Sequence, residues 1–154
     1  MLKFAPIQRI LMKLKLFLFI IPVLVSCNIE SNEVNCNVLK KTDTKYSIDD
    51  KLFTGNCLTF KNGVTTESRK IKNGLHKKTI GYWDTGEIKY TGGVKRDSLN
   101  GSYREYFRSG KIAKKGKFKM GYYEGRWKFT DESGRLLRIT TFKKGKIISE
   151  INKN

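Results

Sequence analysis

Proline is nearly missing from this chain: there are two in 154 residues, and neither lies after position 22. Histidine occurs once, at His76, and cysteine three times, at Cys27, Cys36 and Cys57. With no second imidazole and no Cys-x-x-Cys pair, there is no ligand set for a structural zinc, and no metal site is expected. Acid is scarce as well, since 14 Asp and Glu stand against 32 Lys and Arg, a net charge of +18. The length suits a single domain and makes a two-domain enzyme a poor fit. No Gly-x-Ser-x-Gly elbow, phosphate loop or His-Glu-x-x-His is present. Asp84, Glu87, Glu105 and Asp131 fall in different segments, with no spacing that pairs two of them for acid/base work. His76 sits at an expected turn, which predicts a solvated side chain. No catalytic residue and no cofactor is therefore expected, and the chain reads as a non-enzyme. A hydrophobic content of 38% with 12% aromatics still excludes a wholly disordered chain.

The apolar run from Leu16 to Val25 is too short to cross a bilayer as a helix, which takes ~20 residues. Lys3, Arg9, Lys13 and Lys15 precede it with no acid among them, the layout of a secretory signal. Met12 followed by Lys-Leu-Lys would itself open a compact signal, so Met1 and Met12 both stand as starts. The segment Leu24-Val25-Ser26-Cys27 resembles the lipobox of bacterial lipoproteins; an ordinary signal with an incidental cysteine is the plainer reading. The resemblance implies cleavage before Cys27, a diacylglyceryl thioether on its sulfur, and acylation (palmitate among the chains) of the new amino terminus. Several acyl chains anchor stably where one is marginal, because each buried CH₂ contributes about 0.8 kcal/mol. Residues 1–26 are thus expected to be a signal peptide carrying a helix. Localisation follows: the cell envelope, lipid-anchored to a bacterial membrane on its periplasmic or outer-membrane face.

Loss of the signal removes four basic residues and no acid, which leaves a net +14. A lipidated exported protein does not meet the chromosome, so no nucleic acid is expected as partner. Anionic headgroups, envelope polysaccharides or an acidic protein are the natural counter-charges. Residues 27–50 lack glycine, proline and sustained periodicity, which predicts a flexible lipidated tether. Cys36 and Cys57 are the thiols left over. In an oxidising envelope a disulfide between them would close a loop worth roughly 3 kcal/mol, while a reduced pair is the alternative.

All 14 glycines fall between Gly55 and Gly145, and several recur every 24 residues. Gly86, Gly110 and Gly134 form one series, which Gly63 joins if the first unit is one residue shorter. Gly101 and Gly125 form a second, Gly121 and Gly145 a third. Four units result, roughly 53–75, 76–99, 100–123 and 124–148. Each reads as a β-hairpin, with glycine where a short loop needs positive φ. In the second unit Asp97 replaces a turn glycine. Gly92-Gly93 inside a strand reads as a bulge rather than a phosphate cradle. Helices are excluded, because glycine at this density costs each about 1 kcal/mol per residue.

Along the second strand of each unit, Ile71, Val94, Phe118 and Phe142 share one face. The neighbouring position carries Lys72, Lys95, Lys119 and Lys143, a ridge with ~9.6 Å between lysines at two strands per unit. A polyanion would meet a cooperative field there; simple solvation and protection of a sheet edge is the other reading. Trp83, Tyr106, Phe107 and Trp127 belong to an aromatic stripe that serves either as a binding platform or as the core of a thin sheet.

This pattern resembles the bacterial variant of the membrane occupation and recognition nexus (MORN) repeat. Gly101-x-Tyr103-x-x-Tyr106-Phe107-x-x-Gly110, Gly125-x-Trp127-x-Phe129 with Gly134, and the closures Lys119-Met120-Gly121 and Lys143-Lys144-Gly145 carry the likeness. The Gly-x-aromatic opening is missing at 77–79 (Lys-Lys-Thr), so the second unit departs from the motif. The resemblance implies an all-β fold: an elongated, single-layer antiparallel sheet of about four hairpins over residues 51–149. It also implies a non-catalytic scaffold for a protein or anionic envelope component. Some bacterial members are labelled antitoxins, which makes an antitoxin or immunity-like protein the alternative; an envelope glycan hydrolase is a third reading.

Overall fold

The computed structural model describes residues 33–153; the signal segment, Cys27 and the start of the expected tether lie outside them. The described residues form 13 strands in one sheet. They are β1 (Glu33–Asn35), β2 (Lys40–Thr42), β3 (Lys45–Ile48), β4 (Lys51–Leu52), β5 (Gly55–Lys61), β6 (Val64–Lys72) and β7 (Leu75–Tyr82). There follow β8 (Ile88–Lys95), β9 (Ser98–Tyr106), β10 (Ile112–Lys119), β11 (Tyr122–Thr130), β12 (Leu136–Lys143) and β13 (Lys146–Asn152). From β5 to β13 the strands lie in chain order, each antiparallel to the next. Four successive hairpins therefore build an open antiparallel sheet, the all-β architecture that the repeat predicts. β13 adds a ninth strand to the run and carries the sheet past residue 149 to Asn152.

Each glycine series has its own backbone task. Gly86, Gly110 and Gly134 donate their N–H groups to the carbonyls of Trp83, Phe107 and Asp131 at 3.0, 2.9 and 2.9 Å, closing the turn inside each hairpin. The first hairpin turns in two residues, Asn62-Gly63, which accounts for its shorter count. Gly101 and Gly125 take positive φ, 91° and 69°, beside register shifts in the β8–β9 and β10–β11 ladders. Between hairpins, Asn73-Gly74, Met120-Gly121 and Lys144-Gly145 have positive φ at both positions, the tight-turn form that matches strand twist. Arg96 and Asp97 adopt the same turn at 51° and 54° without glycine. The Gly92-Gly93 bulge is present, with the register shifting between Gly92 and Val94.

The expected tether is corrected over most of its length. β1 pairs in parallel with β5, and a single 3-10 turn follows at Cys36–Val38. β2, β3 and β4 make a small meander that meets β7 at its turn end. Cys36 and Cys57 are disulfide-bonded, with Cα atoms 4.8 Å apart. Tyr46, Phe53, Cys57 and Ile71 form a buried cluster around that bond, joined by Val34, Leu39 and Ile48. Apolar contacts and a cross-link order this stretch where local propensity does not.

A second, aromatic core lies on the same sheet face further along. Tyr103, Phe118, Tyr123, Trp127 and Phe142 contact one another with centroids 4.3 to 6.4 Å apart. Trp127 is fully buried, and its indole N–H donates to the Lys117 carbonyl at 3.1 Å. Its ring covers Gly116, where an added Cβ would sit 2.3 Å from Cδ2. Trp127 is thus core, a correction to its expected place among the binding residues.

Replacing Gly116 by Ala should therefore lower the unfolding free energy by about 1–3 kcal/mol, the usual cost of overpacking. Urea melts of the two proteins read this directly, and a change below about 0.5 kcal/mol contradicts the packing.

Candidate functional site: a basic face and a polar cavity

Directly paired residues of neighbouring strands share a sheet face, so the ladders sort the charges. One row runs Leu58, Ser68, Ile80, Thr91, Arg104, Lys115, Lys128, Ile139 and Ile151. Lys115 faces like charge on both sides, Arg104 and Lys128, and in the adjoining row Lys70 pairs with Lys78. Like charges directly opposite destabilise a sheet. Ser102, Lys117, Arg126 and Glu124 border the same region, which dips into a cavity of about 500 Å³. The ridge lysines Lys72, Lys95, Lys119 and Lys143 share strand parity with this basic face and line its turn edge. All four are exposed and make no ion pair among the described residues.

The expected aromatic partners of the ridge are elsewhere. Trp83, Tyr106 and Phe107 are half-buried at the opposite ends of β7 and β9. Eight residues of strand separate the two ends, about 25 Å. Trp83 is sandwiched between Lys89 and Arg108, 4.5 and 4.7 Å from its ring, and Arg108 also holds Asp84 at 2.7 Å. These groups close the hairpin turns and add nothing to the ridge.

Sequence reasoning missed a polar cavity of about 470 Å³ on the aromatic face, between the disulfide cluster and the aromatic core. It exists because the second unit breaks the repeat. Thr79 stands 24 residues before Tyr103 and 48 before Trp127, so a small side chain replaces a large ring. Arg69 pairs with Thr79 at the ladder position where Gly92 pairs with Tyr103. Asp97 occupies the turn position of Gly121 and Gly145. The meander completes the walls by bringing Lys41 and Tyr46 over the sheet.

The charged groups are matched in pairs. Arg69 Nε donates to Glu67 Oε1 at 2.6 Å, and the Tyr90 hydroxyl donates to Glu67 Oε2 at 2.7 Å. Burial pushes the Glu67 carboxyl up, but these two donors outweigh it and hold it below the usual range. The Tyr90 hydroxyl is pushed up to about 12 by burial and by the Glu67 charge. Lys41 Nζ meets Asp97 Oδ2 at 2.9 Å, and that bond raises the lysine. The Thr79 hydroxyl, shielded from solvent beside Glu67 and Tyr90, makes no hydrogen bond of ordinary geometry.

His76 corrects another expectation. It lies in β7 with a side chain 9% exposed, its Nε2 3.1 Å from the Lys78 carbonyl and Nδ1 3.8 Å from Asp97 Oδ1. Burial and then the Arg69 charge lower its pKa, and the smaller pull of Asp97 does not restore it. At neutral pH Nε2 carries the proton toward the Lys78 carbonyl and Nδ1 is an acceptor. Among the described residues no three His, Cys, Asp or Glu side chains cluster as a metal site.

No protein-family model and no curated protein matches the chain. A solved structure titled "Crystal structure of GtfA/B complex bound to UDP and GlcNAc" is similar at 6% identity and a TM-score of 0.34. The likeness covers 74% of this chain and 23% of that one, and at such a score it carries no argument.

A histidine pKa below its unfolded value of 6.5 means that the unfolded chain binds more protons. The stability involved is complete above pH 6.5 and falls as the pH drops through that value. His76→Asn copies Asn100, whose Oδ1 accepts the N–H of the following turn residue Met120 at 3.2 Å. Thermal melts from pH 7.5 to 5.5 should show a falling Tm for the natural chain and a flatter profile for His76→Asn. Equal slopes would contradict the buried neutral imidazole.

Proposed function

We propose that this chain is a membrane-anchored lipoprotein whose hairpin repeats are a non-catalytic scaffold for an anionic envelope component. The observation carrying the reading is the like-charged ladder: Lys115 between Arg104 and Lys128, beside Lys70 opposite Lys78. A sequence under selection for stability alone would alternate signs across those rungs. Extended over successive hairpins and edged by Lys72, Lys95, Lys119 and Lys143, the array meets a surface of headgroup phosphates as one field. Each lysine close to an anionic leaflet contributes about 1 kcal/mol, so a handful suffices beside an acyl anchor. The MORN-like motifs and the lipobox-like Leu24-Val25-Ser26-Cys27 support the same reading from the sequence. On it, Cys27 supplies the attachment and the basic face lies against the leaflet or an anionic polymer beside it.

The lipid-free chain from residue 28 should bind vesicles rich in phosphatidylglycerol, ignore phosphatidylcholine vesicles, and release as salt rises. Changing Lys95, Lys115, Lys119 and Lys128 to Gln should weaken that binding at least about tenfold with Tm unchanged or raised. Equal binding to neutral vesicles, or no effect of the substitutions at low salt, contradicts the assignment. Radiolabelled palmitate should enter the full chain in a bacterial host and be lost in Cys27→Ala; an unlabelled natural chain removes the anchor.

A further inference from the structure

We propose that the cavity over the second hairpin is a binding site for a neutral polyhydroxylated ligand, a mono- or disaccharide unit. Three departures from the repeat converge there, and each gives up something structural. Thr79 gives up the ring that Tyr103 and Trp127 supply. Arg69 puts a charge at the ladder position of Gly92. Asp97 holds φ at 54° where the equivalent turns have glycine. Departures that lower stability and fall in one place are the mark of a site.

The groups left facing the cavity decide the ligand class. Lys41 is matched by Asp97 and Arg69 by Glu67, so the pocket is formally neutral with His76 uncharged. An anion would have to displace a carboxylate, and a cation would have to displace a lysine or guanidinium. Free hydrogen-bonding capacity remains on both sides. Arg69 spends Nε on Glu67, leaving its terminal amino groups as donors. Asp97 Oδ1 has only the Tyr46 hydroxyl at 3.4 Å and His76 Nδ1 at 3.8 Å, so it and the imidazole present two neighbouring acceptors. Adjacent hydroxyls, each both donor and acceptor, fit that set. Tyr90 and Tyr103, stacked at 6.0 Å with planes 19° apart, supply an aromatic wall for a sugar ring. A volume of about 470 Å³ holds one or two sugar units. This site lies on the face opposite the basic ladder, so its test is independent of the membrane reading.

Titration calorimetry of the full chain in detergent, against a panel of neutral mono- and disaccharides with glucuronate and inorganic phosphate alongside, reads the proposal. At least one neutral sugar should bind, with both anions weaker by tenfold or more. Asp97→Gly restores the repeat's glycine; it should fold with an unchanged or higher Tm and lose at least tenfold in affinity. Thr79→Tyr restores the ring and should abolish binding, its fold checked by the same melt. Absence of any neutral sugar binding, preference for an anion, or full affinity in a folded Asp97→Gly overturns the assignment.

Discussion

Trp127 lying across Gly116 is the contact on which the C-terminal half of the molecule depends. A single sheet has no opposing layer, so it must bury apolar area using side chains of its own strands. A large ring covers more area than an aliphatic chain, but it fits only if the neighbouring strand offers no Cβ beneath it. Tyr103 beside Gly92 and Tyr90 over Gly81 repeat the device, since a Cβ at Gly81 would sit 2.1 Å from the Tyr90 ring. The beat of 24 residues keeps ring and glycine in register from one hairpin to the next. Phe118, Tyr123 and Phe142 then fill the remaining gaps around the indole.

The N-terminal end solves the same problem by other means. Its first hairpin has no ring over glycine, and the disulfide with Tyr46, Phe53 and Ile71 stands in for one. Between these two ways of burying a face lies a stretch served by neither, and the polar cavity occupies it. The Arg69–Glu67 and Lys41–Asp97 pairs there are partly exposed, so as stabilising contacts they are worth little. Their presence in place of packing is what sets the second hairpin apart. On the opposite face the lysine-rich ladder also runs against stability. The sheet thus carries two costly surfaces, one charged and one polar, on a frame held by aromatics.

Much of this was legible in the chain itself. Turn and bulge glycines announce themselves because positive φ is a property of one residue, and their spacing counted the hairpins. Strand alternation placed Ile71, Val94 and Phe118 inward and the four lysines outward. Three features escaped. Residues 33–50 have no periodicity, since their short strands are ordered by docking and by the Cys36–Cys57 bond. His76 looked like a turn residue because the meander that covers it comes from residues 40–52, outside the repeat. The cavity was hidden for the same reason: Tyr46 and Asp97 are 51 residues apart in sequence, and no local pattern joins them. Its sequence trace was present as exceptions at positions 69, 79 and 97, which a motif search reads as degeneracy.

Hydrogen exchange at the indole protons tests the central claim most directly. Trp127 Nε1 is buried and bonded to the Lys117 carbonyl, so it should exchange only when the whole domain unfolds, at the rate set by global stability. Exchange of the Trp127 proton within minutes under native conditions would show that the ring is not packed on Gly116, and the account built on that contact would fall.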